Sequence, residues 1–399
     1  MLLLSLAWQS LRNRRVTTLL TVFSIALSVA LLLGVEALRT SARESFSSTI
    51  SGTDLIVGAR GGSLQLLLST VFRIGSVSNG ISQKTYEEWA HHPGVLWTIP
   101  YSLGDSHKSF RVVGTDQNFY THYRFRRTGQ VVMAEGHPAT GEHEAALGSD
   151  VAAQLHYALG TRITLTHGLG ASGIMDHEEQ PFTVVGILAR TATPIDRAIY
   201  VSLGGIEHIH EDTPESTALT SFLVAAKSRR DTLFLQREIN TYKPEPLTAI
   251  IPGVTLNELW STVRFAEIAL EIVGGFVVLV GLMGMLVAIY TTLNERRREM
   301  AILRALGAGP IKILSLFLLE SLLLAGAGCA LGVGMMIGSI ALLQGIVENR
   351  FGLYLRWQGF EMQHAIYLAI VLGAALIAGL IPAWRAYRNT LADGLSVRI

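Results

Sequence analysis

The sequence predicts a membrane α-helical protein with four transmembrane helices and a large α+β domain inserted between the first and second helices. Three observations carry that expectation. Four apolar stretches each reach the ~20 residues that a helix needs to cross a bilayer core. Clusters of arginine flank these stretches so that all clusters fall on one side of a four-span path. Between the first and second stretches lies a more polar segment with alternating, β-branched runs. Composition agrees: the chain is 49% hydrophobic and 16% charged, with mean hydropathy +0.38, whereas soluble proteins carry about 25% charged residues.

The elements follow in order. Residues 1–15 read as a short interfacial helix, with Leu2, Leu3, Leu6 and Leu11 on the apolar side and Trp8 at headgroup depth. Span one covers 16–38. It is longer than the apolar core of a signal peptide and no small-x-small site follows it, so it reads as an uncleaved anchor. The insert, 39–264, is roughly 225 residues, enough for one or two small domains. Strands are expected at 110–114, 161–166, 182–188 and 198–201, and helices at 85–91, 149–157 and 229–241. The apolar run 64–72 is too short to span and reads as a helix packed inside the insert. Residues 39–48 and 256–271 continue spans one and two outward without helix breakers, as a two-helix stalk. Span two covers 265–293, a loop 294–312, span three 313–347, a short outer loop 348–364, span four 365–384 and a tail 385–399.

Orientation follows from the short flanks. Arg12, Arg14 and Arg15 precede span one. Arg296, Arg297, Arg298, Arg304 and Lys312 lie between spans two and three, and Arg385, Arg388 and Arg398 follow span four. Both termini are therefore expected in the cytoplasm and the insert outside. The 348–364 loop balances Arg350 and Arg356 against Glu348 and Glu361, as an outer loop should.

Several function classes are disfavoured. Net charge is +1, which gives no electrostatic case for nucleic acid. Cys329 is the single cysteine, so no intramolecular disulfide or cysteine zinc site can form. The chain has no phosphate loop: the run starting Gly104-Asp-Ser-His-Lys lacks the glycine before lysine, and no backbone cradle for phosphates results. No nucleophile, base and orienter stand in a recognisable pattern, so the chain reads as a non-enzyme with no cofactor of its own. His208 and His210, beside Asp212, would share one face of a strand, but i,i+2 spacing alone is a weak basis for zinc or haem, and surface histidines are the ordinary reading. Span three carries Gly326, Ala330, Gly334 and Gly338 at i+4 spacing, with Gly328 and Gly332 alongside. Such small residues serve either contact with a second chain or packing within this one. Glu320 in the same span reads as a structural hydrogen bond to a neighbouring helix, with proton transfer as the alternative.

The most informative segment is Glu295-Arg-Arg-Arg-Glu-Met-Ala-Ile-Leu-Arg-Ala-Leu-Gly307. As a short amphipathic helix it places Glu299, Leu303 and Leu306 along one side with Ile302 beside them, and Gly307 ends it. The positive-inside rule accounts for the arginines but not for the ordered apolar residues.

That run, continued by Ala308, resembles the coupling-helix signature of the FtsX/MacB-like ABC permeases, the type VII ABC superfamily. The entry to span one from Leu6 to Thr21 and the ending Pro382-Ala-Trp-Arg-Ala-Tyr-Arg resemble the same family. Val184-Val-Gly-Ile-Leu with Thr193-Pro-Ile-Asp-Arg-Ala-Ile-Tyr-Val is similar to the periplasmic core of MacB-like members, and the run from Asp54 to Leu66 looks like the DevC/HrtB-type branch. The resemblance covers the whole chain. It implies a bacterial inner-membrane permease subunit, paired with a second copy or a paralogue. It implies a cytoplasmic ABC ATPase dimer, carrying ATP and Mg, docked on residues 295–307, and it allows a periplasmic adaptor or binding protein. It further implies mechanotransmission: ATP-driven motion passes along the stalk to reshape the periplasmic domain, for export or envelope extraction. The alternative within the same resemblance is a non-transporting mechanotransmitter that regulates an envelope hydrolase or sensor.

Overall fold

The computed structural model describes residues 2–75, 79–167, 181–209, 219–305, 307–351, 359–360 and 362–388. The chain divides into two compact units. One is Met1–Ser41 with Arg264–Ile346 and Leu355–Ile399; the other is Ala42–Val263 with Val347–Tyr354.

The first unit is helical. Leu2–Asn13 forms the N-terminal helix, with Trp8 63% exposed. Four further helices contain stretches apolar and long enough to cross a membrane: Arg15–Ser48, Pro252–Thr291, Ile311–Val347 and Met362–Ile381. Span one shows why these residues bundle. Ile25, Val29 and Leu33 recur every four residues and are buried, whereas Leu19, Phe23, Leu27 and Leu31 point outward as a lipid-facing side. The Ser28 hydroxyl lies 2.9 Å from the Ser24 carbonyl and 3.0 Å from the Val277 carbonyl of span two, so this polar group is satisfied across the helix pair. Span three continues to Phe351 and the next helix begins at Met362, so the connection between them is shorter than the expected 348–364 loop. No glycine or proline falls between Gly345 and Gly352 to stop the helix sooner.

Among the described residues, the second unit carries two large sheets and a two-stranded one, Arg124–Phe125 with Gly129–Gln130. The first has four antiparallel strands in the order Leu247–Ile250, Leu55–Ala59, Ser221–Ala226, Val95–Tyr101. The two-residue side-chain period divides its strand Leu55–Ala59 between two cores. Leu55 and Val57 pack with Tyr86, Trp89, Leu235 and Ile239 of the helices Gln83–Ala90 and Arg229–Asn240. Ile56 joins the core around Tyr101, Phe119 and Tyr200. Ser82 caps the first of those helices on Thr85 N and Ser228 caps the second on Asp231 N.

The second sheet is mixed. Its order is Thr166–His167, Asp105–His107, Phe110–Thr115, Ala198–Ser202, Glu144–Leu147, Phe182–Leu188, Met133–Gly136. Phe182–Leu188 alternates buried and half-buried along its length, as its sequence pattern demands. The strand expected at 161–166 is broken in two: Arg162–Ile163 pairs with Phe182–Leu188 and Thr166–His167 pairs with Asp105–His107.

The 64–72 run is the helix Ser63–Phe72, buried through Leu66, Leu67, Val71 and Phe72. It ends at Arg73, whose backbone turns left-handed at φ 61 while its N–H bonds to the Leu68 carbonyl. Within the same unit, the far end of Arg15–Ser48 meets the start of Pro252–Ala305. Phe46 stacks edge-on against Trp260 at 5.8 Å, and the Arg43 guanidinium sits 5.9 Å from the same ring.

Candidate functional site

The 295–307 segment is built as the end of a long helix rather than as a separate short one. Pro252–Ala305 is continuous over 54 residues. The sequence between Gly284 and Gly307 contains no glycine or proline, so nothing uncouples the segment from span two. The chain then turns at Gly307, where φ is +86, and the next helix starts on Pro310. Ile302 is 55% exposed, a large apolar side chain that this chain leaves uncovered. The side chains of Glu295, Arg296, Arg297, Arg298, Glu299, Leu303 and Arg304, and the whole of Leu306, lie outside the described residues.

The small residues of span three divide between two faces. A Cβ at Gly328 would lie 2.6 Å from Ile25 Cγ2, and one at Gly332 would lie 2.7 Å from the Ala26 carbonyl oxygen; these two let span one approach. Gly326, Gly334 and Gly338 have no atom within 4 Å of such a Cβ, and Ala330 is exposed. That stripe serves no packing among the described residues. Glu320 is 2% exposed and faces protein, not lipid.

The histidine expectation needs correction. His208 sits on the helix Leu203–Ile209, not on a strand, because the Ser202 hydroxyl accepts the Gly205 N–H and starts a helical turn there. The strand on which the shared-face reading depends is therefore not formed at His208. The His208 ring lies edge-on to His143 at 5.5 Å. His210 and Asp212 lie outside the described residues. Among the described residues, no three His, Cys, Asp or Glu side chains are grouped to hold a metal.

One feature escaped sequence reading. Arg39 binds Glu36 and Glu271 at 2.9 Å each and Glu267 at 3.6 Å, joining the helices of spans one and two. The Glu36 side chain is only 5% exposed. The i,i+3 spacing of Glu36 and Arg39 and the i,i+4 spacing of Glu267 and Glu271 were visible signals; their convergence on one guanidinium was not.

These features define the class: a multi-pass membrane protein that carries one large α/β domain between its first and second spans. The chain matches the family model of the MacB-like periplasmic core domain over residues 18–242 and that of the FtsX-like permease C-terminal region over 271–391. It belongs to the FtsX/MacB-like ABC permeases, and with that membership come a permease-type role, association with a cytoplasmic ABC ATPase and a multi-pass place in the inner membrane. No curated protein matches the chain. Among solved structures, the periplasmic region of MacB from Actinobacillus actinomycetemcomitans is 10% identical, with a TM-score of 0.35 over 53% of this chain and 94% of that one. The extracellular domain of the noncanonic ABC-type transporter YknZ from Gram-positive bacteria is also 10% identical, with a TM-score of 0.31 over 49% and 98%. The family membership rests on the two sequence matches.

Proposed function

We propose that this chain is the permease subunit that couples ATP hydrolysis by a separate ATPase to movement of its periplasmic domain, for export or envelope extraction. ATP and Mg belong to the partner ATPase; this chain contributes the lever. The observation that carries the reading is the single 54-residue helix Pro252–Ala305. At about 1.5 Å per residue it is about 80 Å long. Its start belongs to the periplasmic unit and its end carries the basic inter-span segment. An unbroken helix transmits axial push and rotation, which a flexible linker does not. The unpartnered Gly326, Ala330, Gly334 and Gly338 stripe favours a second permease copy or paralogue beside span three.

The test is on the apolar side of the segment. Arginines there set topology jointly, so the loss of Arg297 alone should be mild. Leu303 and Leu306 have no topological duty. If they fill a pocket on the ATPase, truncation costs on the order of 2 kcal/mol or more at the interface. Leu303→Ala with Leu306→Ala should leave insertion and abundance near wild type, weaken ATPase co-purification and abolish function. Full ATPase recovery and activity in the double variant would reduce the segment to a connecting turn.

A further inference from the structure

A cavity of about 310 Å³ opens in the periplasmic unit, a size typical of small-molecule sites. Its walls are of two kinds. Phe46, Phe72, Ile74 and Phe110 make it apolar, and Arg73, Arg111 and Arg197 make it cationic. Among the described residues no aspartate or glutamate lines it. The carboxylate nearest in sequence, Asp196, is turned to its own loop, where it accepts from Thr191 N at 2.9 Å and from Ala192 N at 2.6 Å.

Arg73 is the unusual member. It occupies the left-handed residue that ends the helix Ser63–Phe72, a place where glycine would be relaxed and a side chain is strained. Its guanidinium lies 4.7 Å from the Tyr101 ring centroid. Its Nε and Nη1 are sealed from solvent, so they do not touch the contents of the cavity, and no carboxylate or carbonyl accepts from them among the described residues. Burial acts first on its charge, and then the phenols of Tyr101, Tyr200 and Tyr123, Tyr101 also as a hydrogen-bond partner; among the described residues no carboxylate does. Arginine cannot shed its proton to escape such a site. Arg111 is half-buried beside it; burial first, and then the Arg73 charge, pushes its pKa down. One Arg111 nitrogen donates to the Gly75 carbonyl. Arg197 stands exposed at the rim. Like charges brought together beside an apolar pocket, with no carboxylate in its lining among the described residues, are complementary to an anion. The phenylalanine walls add affinity only for a ligand with an apolar body.

We infer that this cavity binds an anionic amphiphile, a molecule with a carboxylate or phosphate head drawn by the buried charge of Arg73 and held by Arg111 and Arg197, and an apolar body against Phe46, Phe72 and Phe110. The site lies wholly within the periplasmic unit and binding requires no ATPase, so this inference and the coupling reading can fail independently. The assay is titration calorimetry on the full chain in nanodiscs, with empty nanodiscs subtracted. The probes are hexyl phosphate, hexanoate, hexyltrimethylammonium and inorganic phosphate.

One saturable site per chain is expected for the two anionic probes and none for the cation. Inorganic phosphate should bind about tenfold more weakly or worse than hexyl phosphate, because it leaves the apolar walls unused. Arg73→Gln and Arg197→Glu should each weaken hexyl phosphate about tenfold or more. Arg197 is exposed, so its charge reversal decides the matter even if Arg73→Gln folds poorly. Phosphatidic acid built into the nanodisc should compete with hexyl phosphate if the bilayer supplies the ligand; unchanged affinity assigns the site to a soluble amphiphile. Equal binding of the cation, equal binding of inorganic phosphate, or unaltered affinity in Arg197→Glu would overturn the inference and leave Arg73 as a structural cation on Tyr101.

Discussion

At the residue scale, Asp116 shows how burial turns a cap into a pH-sensitive group. Its carboxylate starts the helix Gln117–His122 by accepting Asn118 N at 3.0 Å, and it also accepts Asn118 Nδ2 at 3.2 Å. Burial outweighs these hydrogen bonds and pushes its pKa up from 3.8 to about 6. The folded state therefore holds the proton more tightly than the unfolded state. The stability this gives is fully present below 3.8 and is lost as pH rises through about 6. Asn can serve the same cap without titrating. We predict that Asp116→Asn removes this component: relative to wild type, the thermal midpoint of the variant should climb as pH is raised from about 4 to about 7. A wild-type-minus-variant difference that stays flat across that window would show that Asp116 ionises as freely when folded as when unfolded.

At the scale of elements, span three is two surfaces on one helix. Gly328 and Gly332 are the points at which span one comes close, and the face through Gly334 is left open. A leucine at 332 has to displace Ala26 and Val29, and overpacking of this kind costs about 1–3 kcal/mol. A leucine at 334 meets no atom within 4 Å of its Cβ, so its effect on the single chain should stay within about 0.5 kcal/mol. We predict that Gly332→Leu lowers the thermal midpoint in detergent, whereas Gly334→Leu leaves it in place and reduces the fraction of permease pairs captured by crosslinking in membranes. Equal destabilisation by both substitutions would mean that the two faces are assigned wrongly.

At the scale of the whole molecule, the basic flanks predict cytoplasmic termini and an external domain. Gln9 is exposed on the N-terminal helix and Gln154 on the helix Ser149–Leu155. In a Cys329→Ala background, a membrane-impermeant maleimide added to intact spheroplasts should label Gln154→Cys and spare Gln9→Cys until the membrane is opened. Labelling of Gln9→Cys from outside would invert the orientation, and the 295–307 segment could not then meet a cytoplasmic ATPase. The buried Cys329 thiol makes that background safe to build, since alanine at this position removes little volume from the bundle.

The features that the sequence alone determined are those set by local pattern. Four apolar stretches of spanning length, the alternation of Phe182–Leu188 and the run too short to span at Ser63–Phe72 each depend on neighbours a few residues away, and each was legible. The 295–307 run stood out as a motif; its continuity with span two is a matter of the breakers absent between Gly284 and Gly307. The tertiary structure decided whatever depends on distant partners. Which glycines of span three meet span one depends on helix rotation in the bundle, and an i+4 stripe looks the same on either face. His208 became helical because a serine hydroxyl six residues earlier caps a turn, overriding the alternating His-Ile-His pattern. The three carboxylates on Arg39 come from two helices more than 220 residues apart in sequence. The burial of Arg73 against Tyr101 and Tyr200 required the helix end and both sheets to close around it. Charge and hydropathy are written along the chain; desolvation is a property of the space that the folded chain encloses, and only the fold assigns it.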